Sequence, residues 1–194
     1  MAEWDEVMAS IPTWRMYCIE QLVLCKDIPG DIVECGIAGG HNVINLATVV
    51  RDLKLNKKVY ACDTFAGLPY KEGPALRKGN FYRITQDQLQ LEANNRKLGK
   101  IIVPIVGLVE ETLEQKLGES VFSFVWLDLD LYKPTLYSFK FFEQKMSIGG
   151  VIGFHDYLQA KTPGIAKVIQ EEVNAKQYTI IYSGYKSIFY KKIN

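Results

Sequence analysis

Asp31-Ile-Val-Glu-Cys-Gly-Ile-Ala-Gly-Gly40 is the stretch that decides the fold. A short apolar strand runs here into a glycine-rich turn, and a helix with one apolar face begins near Gly40. Glycines let the backbone pass close to a ligand and adopt φ values that other residues avoid. The next predicted strand, residues 58–62, delivers Asp63 to the same edge of the sheet. A carboxylate there suits the two hydroxyls of a ribose, so the layout predicts a nucleoside-cofactor site.

The spacing of the glycines bears on which nucleoside binds. A dinucleotide site favours G-x-G-x-x-G, with a pyrophosphate at the helix N-terminus. The turn here departs from that spacing, and Glu34 precedes its glycines. A carboxylate would repel a pyrophosphate but would favour a cationic ligand such as S-adenosylmethionine. Two alternatives stay open: an NAD-binding oxidoreductase, which lacks its glycine spacing and an obvious Tyr-x-x-x-Lys pair, and a non-catalytic cofactor-binding scaffold of the same fold.

Composition indicates an ordinary globular protein that forms a single domain over residues 1–194. Apolar residues are 48% and charged residues 23% of the chain, and the formal net charge is +1. This balance gives no basic footprint for nucleic acid, and no apolar run approaches the length of a membrane span. The first residues are acidic and lack an apolar signal core. The four cysteines form no C-x-x-C pair, which favours a cytoplasmic location over a zinc or disulfide role.

The rest of the chain alternates helix and strand patterns. A first helix would bury Ile11, Trp14, Cys18, Leu22 and Cys25. Further helices are predicted near residues 86–97, 110–117, 132–146 and 165–173, and strands near 101–106, 121–127, 151–154, 178–182 and 187–190. Pro104 lacks an N–H and is awkward in a central strand. The turn at residues 183–185 makes the last two strands antiparallel. The predicted fold class is therefore α/β and Rossmann-like, with a mostly parallel sheet, helices on both faces and a C-terminal antiparallel hairpin.

Residues 65–82 form a long connection rich in glycine, proline and aromatic residues. Connections in compact α/β proteins are usually ~2–6 residues long, and longer ones are often functional loops. This composition predicts a mobile cover over the cofactor or the acceptor.

A second group of polar residues follows two later strands. Asp128 and Asp130 come directly after the strand at 121–127, and His155 and Asp156 follow the strand at 151–154. Ligands in open α/β sheets bind outside the carboxyl ends of the strands. Carboxylates gathered there repel one another, and bound Mg²⁺, Mn²⁺ or Ca²⁺ would relieve the repulsion. Alternatively, Asp128 and Asp156 could only cap the helices that follow them.

At this point the chain resembles the macrocin O-methyltransferase family, whose members are metal-dependent S-adenosylmethionine enzymes that methylate sugar hydroxyls on natural products. Matching motifs cover most of the chain in family order. They are Ile28-Pro-Gly-Asp-Ile-Val-Glu-Cys-Gly36 with Gly39-Gly40, Asp63-Thr-Phe-Ala-Gly-Leu-Pro69, Gly107 with Glu111-Thr-Leu113, Leu127-Asp-Leu-Asp-Leu-Tyr132, and Gly149-Gly-Val-Ile-Gly-Phe-His-Asp-Tyr157.

The resemblance implies a seven-stranded class I methyltransferase sheet and an O-methyltransferase that acts on a hydroxyl of a sugar or glycoside. It places the methionine end of the cofactor at Glu34 and Gly36 and the ribose at Asp63. The cofactor-binding set expected from the motifs is Glu34, Gly36, Gly39, Gly40, His41, Asp63, Thr64, Gly107 and Asp128. A divalent cation, Mg²⁺ or Mn²⁺, is expected at Asp128, His155 and Asp156.

The expected reaction uses Asp128, Asp130 and His155 as catalytic residues. The metal would orient the acceptor hydroxyl and lower its pKa, and Asp130 or His155 would take the proton. His155 stands where the family usually has aspartate, and imidazole favours Mn²⁺ over Mg²⁺. Little sequence precedes the first helix, so the acceptor site is expected to be open or completed by another subunit in a homo-oligomer.

Overall fold

The structure, a computed structural model, describes residues 13–184 and 186–194. Ile11, expected in the first helix, and Tyr185, expected in the last turn, lie outside the described residues. The elements follow in the order α1 (Thr13–Leu24), β1 (Asp31–Cys35), α2 (His41–Asp52), β2 (Val59–Asp63), α3 (Gln86–Asn95), β3 (Ile102–Val106), α4 (Val109–Leu117), β4 (Phe122–Leu127), α5 (Tyr132–Glu143), β5 (Met146–His155), α6 (Pro163–Glu172), β6 (Tyr178–Gly184) and β7 (Ser187–Lys192).

The strands form one seven-stranded sheet in the order β3-β2-β1-β4-β5-β7-β6. β1 to β5 pair in parallel, and β7 lies antiparallel to both β5 and β6. The predicted fold class is therefore confirmed, including the C-terminal hairpin. The strand order reverses at β1, which has β2 on one side and β4 on the other, and such switch points are where open α/β sheets bind ligands.

Both faces of the sheet are buried under helices. All six residues of β4 are buried, as the unbroken apolar run predicts for a central parallel strand. The protein has one apolar cluster on each face of the sheet, and alternate residues of β4 pack into different clusters. Val125 and Leu127 pack into one cluster, and Phe124 and Trp126 pack into the other. Because β4 is buried on both faces, the position of its carboxyl end within the sheet is fixed. The residues that follow it, beginning with Asp128, are held at a defined place on the sheet edge.

The largest departure from the boundaries predicted from the sequence lies between α5 and β5. The helix expected over residues 132–146 ends at Glu143, and Met146 already begins β5. Gly149 and Gly150, expected to end the helix, lie within the strand, where the pairing of β4 with β5 shifts register. Gly149 has a φ of 86°, which a side chain would strain. The two glycines therefore allow an irregular strand where the sequence pattern indicated a helix end.

Pro104 lies in β3, which is an edge strand, and its register with β2 continues unbroken. The edge position resolves the difficulty of a proline in a sheet, because an edge strand uses only one side of its backbone for pairing. Within the described part of the chain, no helix combines the length and apolarity needed to cross a membrane.

Candidate active site

A cavity of about 600 Å³ opens at the carboxyl ends of β1, β2, β4 and β5. It gathers nearly all of the residues singled out from the sequence: Glu34, Gly36, Gly39, His41, Asp63, Thr64, Gly107, Asp128, Asp130, His155 and Asp156. Gly40 is the exception, because it lines a neighbouring groove instead. The two predicted groups of residues therefore share one cavity at the switch point of the sheet.

Gly36 lets the turn after β1 approach the turn after β4. Its φ is 84°, and a Cβ there would lie 1.9 Å from the backbone oxygen of Asp128. The two turns continue the sheet pairing, since the amide of Gly36 donates to the carbonyl of Cys62 and the amide of Asp128 donates to that of Cys35, each at 2.8 Å. No residue with a side chain fits at this position without moving the backbone. The floor of the cavity is thus bare main chain.

Asp63 ties the glycine turn to the loop that follows β2. Its Oδ2 accepts hydrogen bonds from the amides of Ile37 at 2.8 Å and Ala38 at 3.3 Å, and its Oδ1 accepts one from the amide of Phe65 at 2.8 Å. The hydroxyl of Thr64 donates to the carbonyl of Gly67 at 2.7 Å and holds the same loop. A carboxylate offers about four acceptor positions. Most are already used, so Asp63 shapes the turn in addition to any ribose contact.

Glu34 and Asn42 are buried polar residues in the wall of the cavity. Their exposed fractions are 2% and 3%; the Asn42 amide interacts with the carboxyl of Glu34, but neither this amide nor Oε2 of Glu34 has a well-aligned hydrogen bond. Burial and the nearby charge of Asp128 raise the pKa of Glu34 well above its usual range. Unpaired polar atoms in so dry a position are costly unless a ligand satisfies them.

Asp128, His155 and Asp156 converge on the other side of the cavity. β4 and β5 are adjacent, so their carboxyl ends bring the three side chains together. Nδ1 of His155 lies 3.0 Å from Oδ1 of Asp128 and 3.1 Å from Oδ1 of Asp156. One ligand atom from each residue lies within 4.8 Å of the others, a spacing that could hold a metal ion. We call these three residues the acidic cluster.

The acidic cluster changes the protonation of the groups within it. Burial of the His155 imidazole opposes its charge, but Asp128 and Asp156 outweigh burial and raise its pKa to about 10. Burial first, and then the charge of Asp128, raise the pKa of Asp130 to about 9. Both shifts favour the protonated form of the group, a charged imidazole at His155 and a neutral carboxyl at Asp130.

Aromatic rings fix the imidazole of His155. The ring of Trp14 on α1 lies 4.7 Å from it, centroid to centroid, and the ring of Trp126 on β4 lies 5.9 Å away. The two indoles stack on each other at 5.4 Å. Asp130 and Asp156 have φ values of 59° and 58°, a conformation that costs energy outside glycine and often occurs at functional sites.

Several residues of the cavity were not anticipated from the sequence. They are Trp14, Arg15, Asn42 and Arg83. Asn42 carried a usable signal, because a polar residue in the first turn of the helix after a glycine turn faces the ligand. Trp14 and Arg15 lie on a helix whose apolar stripe only indicated packing, and Arg83 lies at the end of the long loop, so tertiary packing alone brings them to the cavity.

Solved structures with this fold include several O-methyltransferases. The O-methyltransferase NovP has a TM-score of 0.78 at 20% identity, over 93% of this chain and 78% of that chain. CalS11, a calicheamicin methyltransferase, has a TM-score of 0.79 at 20% identity, over 92% and 78%. TomG from Streptomyces achromogenes, involved in tomaymycin synthesis and solved in complex with SAM, has a TM-score of 0.65 at 12% identity, over 95% and 82%.

Identities this low show a shared fold, and no curated protein matches the sequence. The family follows from the sequence itself. The profile of the macrocin-O-methyltransferase (TylF) family matches residues 14–181, which is most of the chain. The protein therefore belongs to the macrocin-O-methyltransferase family and is a methyltransferase.

Proposed function

We propose that this chain forms a single methyltransferase domain that transfers a methyl group from S-adenosylmethionine to a hydroxyl of a sugar or a sugar-bearing natural product, with help from a divalent cation. One observation carries the proposal: a single cavity joins the bare glycine turn and Glu34 to the acidic cluster. The first part suits a cationic nucleoside cofactor, and the second suits a hydroxyl that must lose a proton.

The residues present fit S-adenosylmethionine. Gly36 leaves the main chain open, and Glu34 and Asn42 offer buried polar atoms that have no well-aligned hydrogen bond in the protein. Glu34 would hold the amino group and face the sulfonium, while Asp63 and the amides it holds would meet the ribose. The bound cofactor supplies an electrophilic methyl carbon. A carboxylate at Glu34 favours this cation, whereas it would repel the pyrophosphate of NAD.

The acidic cluster fits a divalent cation. Two carboxylates and one imidazole within 4.8 Å make a mixed oxygen and nitrogen set, which Mn²⁺ accepts more readily than Mg²⁺. A cation bound there lowers the pKa of a hydroxyl next to it. Asp128 and Asp156 would contribute oxygen ligands, and His155 would contribute nitrogen once it has lost its proton.

Asp130 is the group best placed to take the proton of the acceptor. It lines the cavity beside the cluster, and its raised pKa comes from burial and from the negative charge of Asp128. Positive charge at the cluster would offset that repulsion and leave Asp130 ionised and basic. His155 is the second candidate in its neutral form alone, because the two carboxylates that it contacts otherwise hold a proton on its imidazole.

The test is methyl transfer from S-adenosylmethionine to a panel of hydroxylated glycosides, with Mn²⁺, with Mg²⁺ and with a chelator. We expect turnover with metal and its loss with the chelator. Calorimetry with S-adenosylmethionine and with NAD separates the methyltransferase from the oxidoreductase reading. Tight cofactor binding without turnover on any glycoside would favour the scaffold instead.

A further inference from the structure

A second groove, of about 790 Å³, lies next to the main cavity between α2 and α3. Arg15, Gly39, His41 and Arg83 line both spaces, so they form a shared wall between them. We call Arg15, His41 and Arg83 the basic wall. These three side chains and the bare backbone of Gly39 lie where a ligand in the main cavity would extend into the groove.

Neither arginine of the basic wall forms an ion pair among the described residues, although the charge of Arg15 does act on the buried Glu34. Arg15 lies over the ring of Trp14 at 5.0 Å, and its Nε is buried without a hydrogen-bond partner. Other arginines near the groove are paired, since Arg51 contacts Asp52 and Arg96 contacts Glu92. Unpaired guanidinium groups that face a concave surface are suited to a bound anion.

Gly39 brings the members of the basic wall together. A Cβ at Gly39 would lie 2.9 Å from Nδ1 of His41 and 4.0 Å from Cβ of Arg83, so both side chains lie directly over this glycine. α2 begins at this point, and it has neither a side-chain cap nor an acidic residue in its first turn. Its free amide groups add positive potential to that of the arginines.

The rest of the groove suits a polar, elongated ligand. Asn45, Gln88 and Asn95 offer amide groups, and Ile44 and Leu89 supply an apolar floor. Glu92 is the one carboxylate among the described residues that line the groove, and Arg96 already neutralises it. The groove thus has donors and positive charge on its inner side and little negative charge to oppose an anion.

We propose that the basic wall binds a phosphate group of the acceptor, with the methylated sugar in the main cavity and the remainder of the acceptor in the groove. This inference rests on the proposed function, because it names the class of acceptor for the same site. Two arginines and an imidazole exceed what the single carboxylate of the cofactor requires. Arg83 follows the long loop, whereas Glu34 lies on β1 and Asn42 on α2.

The test is calorimetric titration of inorganic pyrophosphate into metal-free protein saturated with S-adenosylhomocysteine. We expect binding to the wild type, and about tenfold weaker binding after Arg83→Gln or Arg15→Gln, since each removes a charge-assisted contact. Arg77→Gln is the matched control: it removes an arginine from the same loop that lines neither space, and it should leave the affinity unchanged. Affinity for S-adenosylhomocysteine should be unchanged in Arg83→Gln.

Three results would overturn the inference. They are no binding of pyrophosphate to the wild type, equal binding to Arg83→Gln, and displacement of pyrophosphate by S-adenosylhomocysteine, which would assign the basic wall to the cofactor carboxylate. Failure of the cofactor to bind would instead count against the proposed function. The same titration without cofactor would still test the basic wall, so the two failures are distinguishable.

Discussion

The two halves of the main cavity are built in opposite ways. At the glycine turn, Asp63 already accepts three main-chain hydrogen bonds, and the turn is complete before any ligand arrives. At the acidic cluster, Asp128 and Asp156 both lie against His155, and burial and the charge of Asp128 raise the pKa of the nearby Asp130 to about 9. The glycine turn is held by hydrogen bonds within the protein, whereas the acidic cluster sets two carboxylates and a nearby third carboxyl group against a single imidazole. Loss of Asp63 should therefore cost stability, whereas loss of a carboxylate of the acidic cluster should chiefly cost activity.

The largest effect is expected from Asp128→Ala. Loss of this carboxylate should abolish binding of Mn²⁺ and lower turnover by a hundredfold or more, on the order of a lost acid–base or metal contribution. The free energy of unfolding in metal-free buffer should change little, because the repulsion of Asp128 from Glu34 and Asp130 opposes its attraction to the imidazole of His155. Calorimetry and denaturant unfolding measure the two quantities, and Asp52→Ala on the surface is the control. A clear loss of stability would make Asp128 structural.

Asp63→Asn should lower the stability of the protein as well as its affinity for the cofactor. An amide cannot accept all of the bonds from Ile37, Ala38 and Phe65, so the turn should loosen and unfolding should become easier. Affinity for S-adenosylmethionine should fall by about 1.5–3 kcal/mol, the usual contribution of a hydrogen bond to a charged group. Thermal melting and calorimetry on the same sample check both. If affinity falls while the melting temperature stays unchanged, Asp63 acts on the cofactor alone.

Glu34→Gln removes the negative charge of this side chain but keeps its size. Burial already raises the pKa of Glu34, so a neutral amide of the same size should leave stability equal or higher. Affinity for S-adenosylmethionine should fall about tenfold through lost charge attraction, and affinity for S-adenosylhomocysteine, which lacks the sulfonium, should fall less. Competition calorimetry gives the ratio. Equal losses for the two ligands would show that the sulfonium does not interact with Glu34.

The acidic cluster should make the stability of the metal-free protein depend on pH. The folded-state pKa of His155, about 10, lies above the ~6.5 of a free histidine, so the folded state holds this proton more tightly. The stability that this proton adds to the folded state is fully present below pH ~6.5 and is lost as the pH rises towards 10. The denaturant midpoint of the wild type should be lower at pH 9 than at pH 7. The difference between the two midpoints should be smaller in His155→Gln. Identical profiles for the two proteins would remove His155 as the source.

The smallest effect is expected in the loop at residues 65–82. Leu68 and Leu76 are buried there with Leu131, and the amides of Leu68 and Gly79 are hydrogen-bonded within the loop. We expect only a modest slowing of proteolysis in this segment when S-adenosylhomocysteine is bound. Peptide mapping of the first cleavage sites would check it. Equal rates with and without ligand would make the loop a fixed wall of the cavity and not a cover.

The sequence predicted those parts of the site that follow from strand ends. Asp63, Asp128 and His155 each come at or just after the end of an apolar strand, and parallel strands bring their carboxyl ends to one edge. Arg83 could not be placed in the same way, because its position depends on how a long loop folds over Gly39. The start of β5 at Met146 was missed for a related reason, since the irregular pairing at Gly149 leaves no regular period in the sequence.

The rings of Trp14 and Trp126 have a consequence for the entropy of binding. An imidazole packed against the side of two stacked indoles has already lost most of its rotational freedom when the chain folds. The cost of ordering His155 is thus met during folding and does not recur when an ion arrives. Preorganisation of this kind raises affinity without any new contact. The aromatic contact of α1 with β4 therefore supports the proposed ion site, although neither indole can be a ligand.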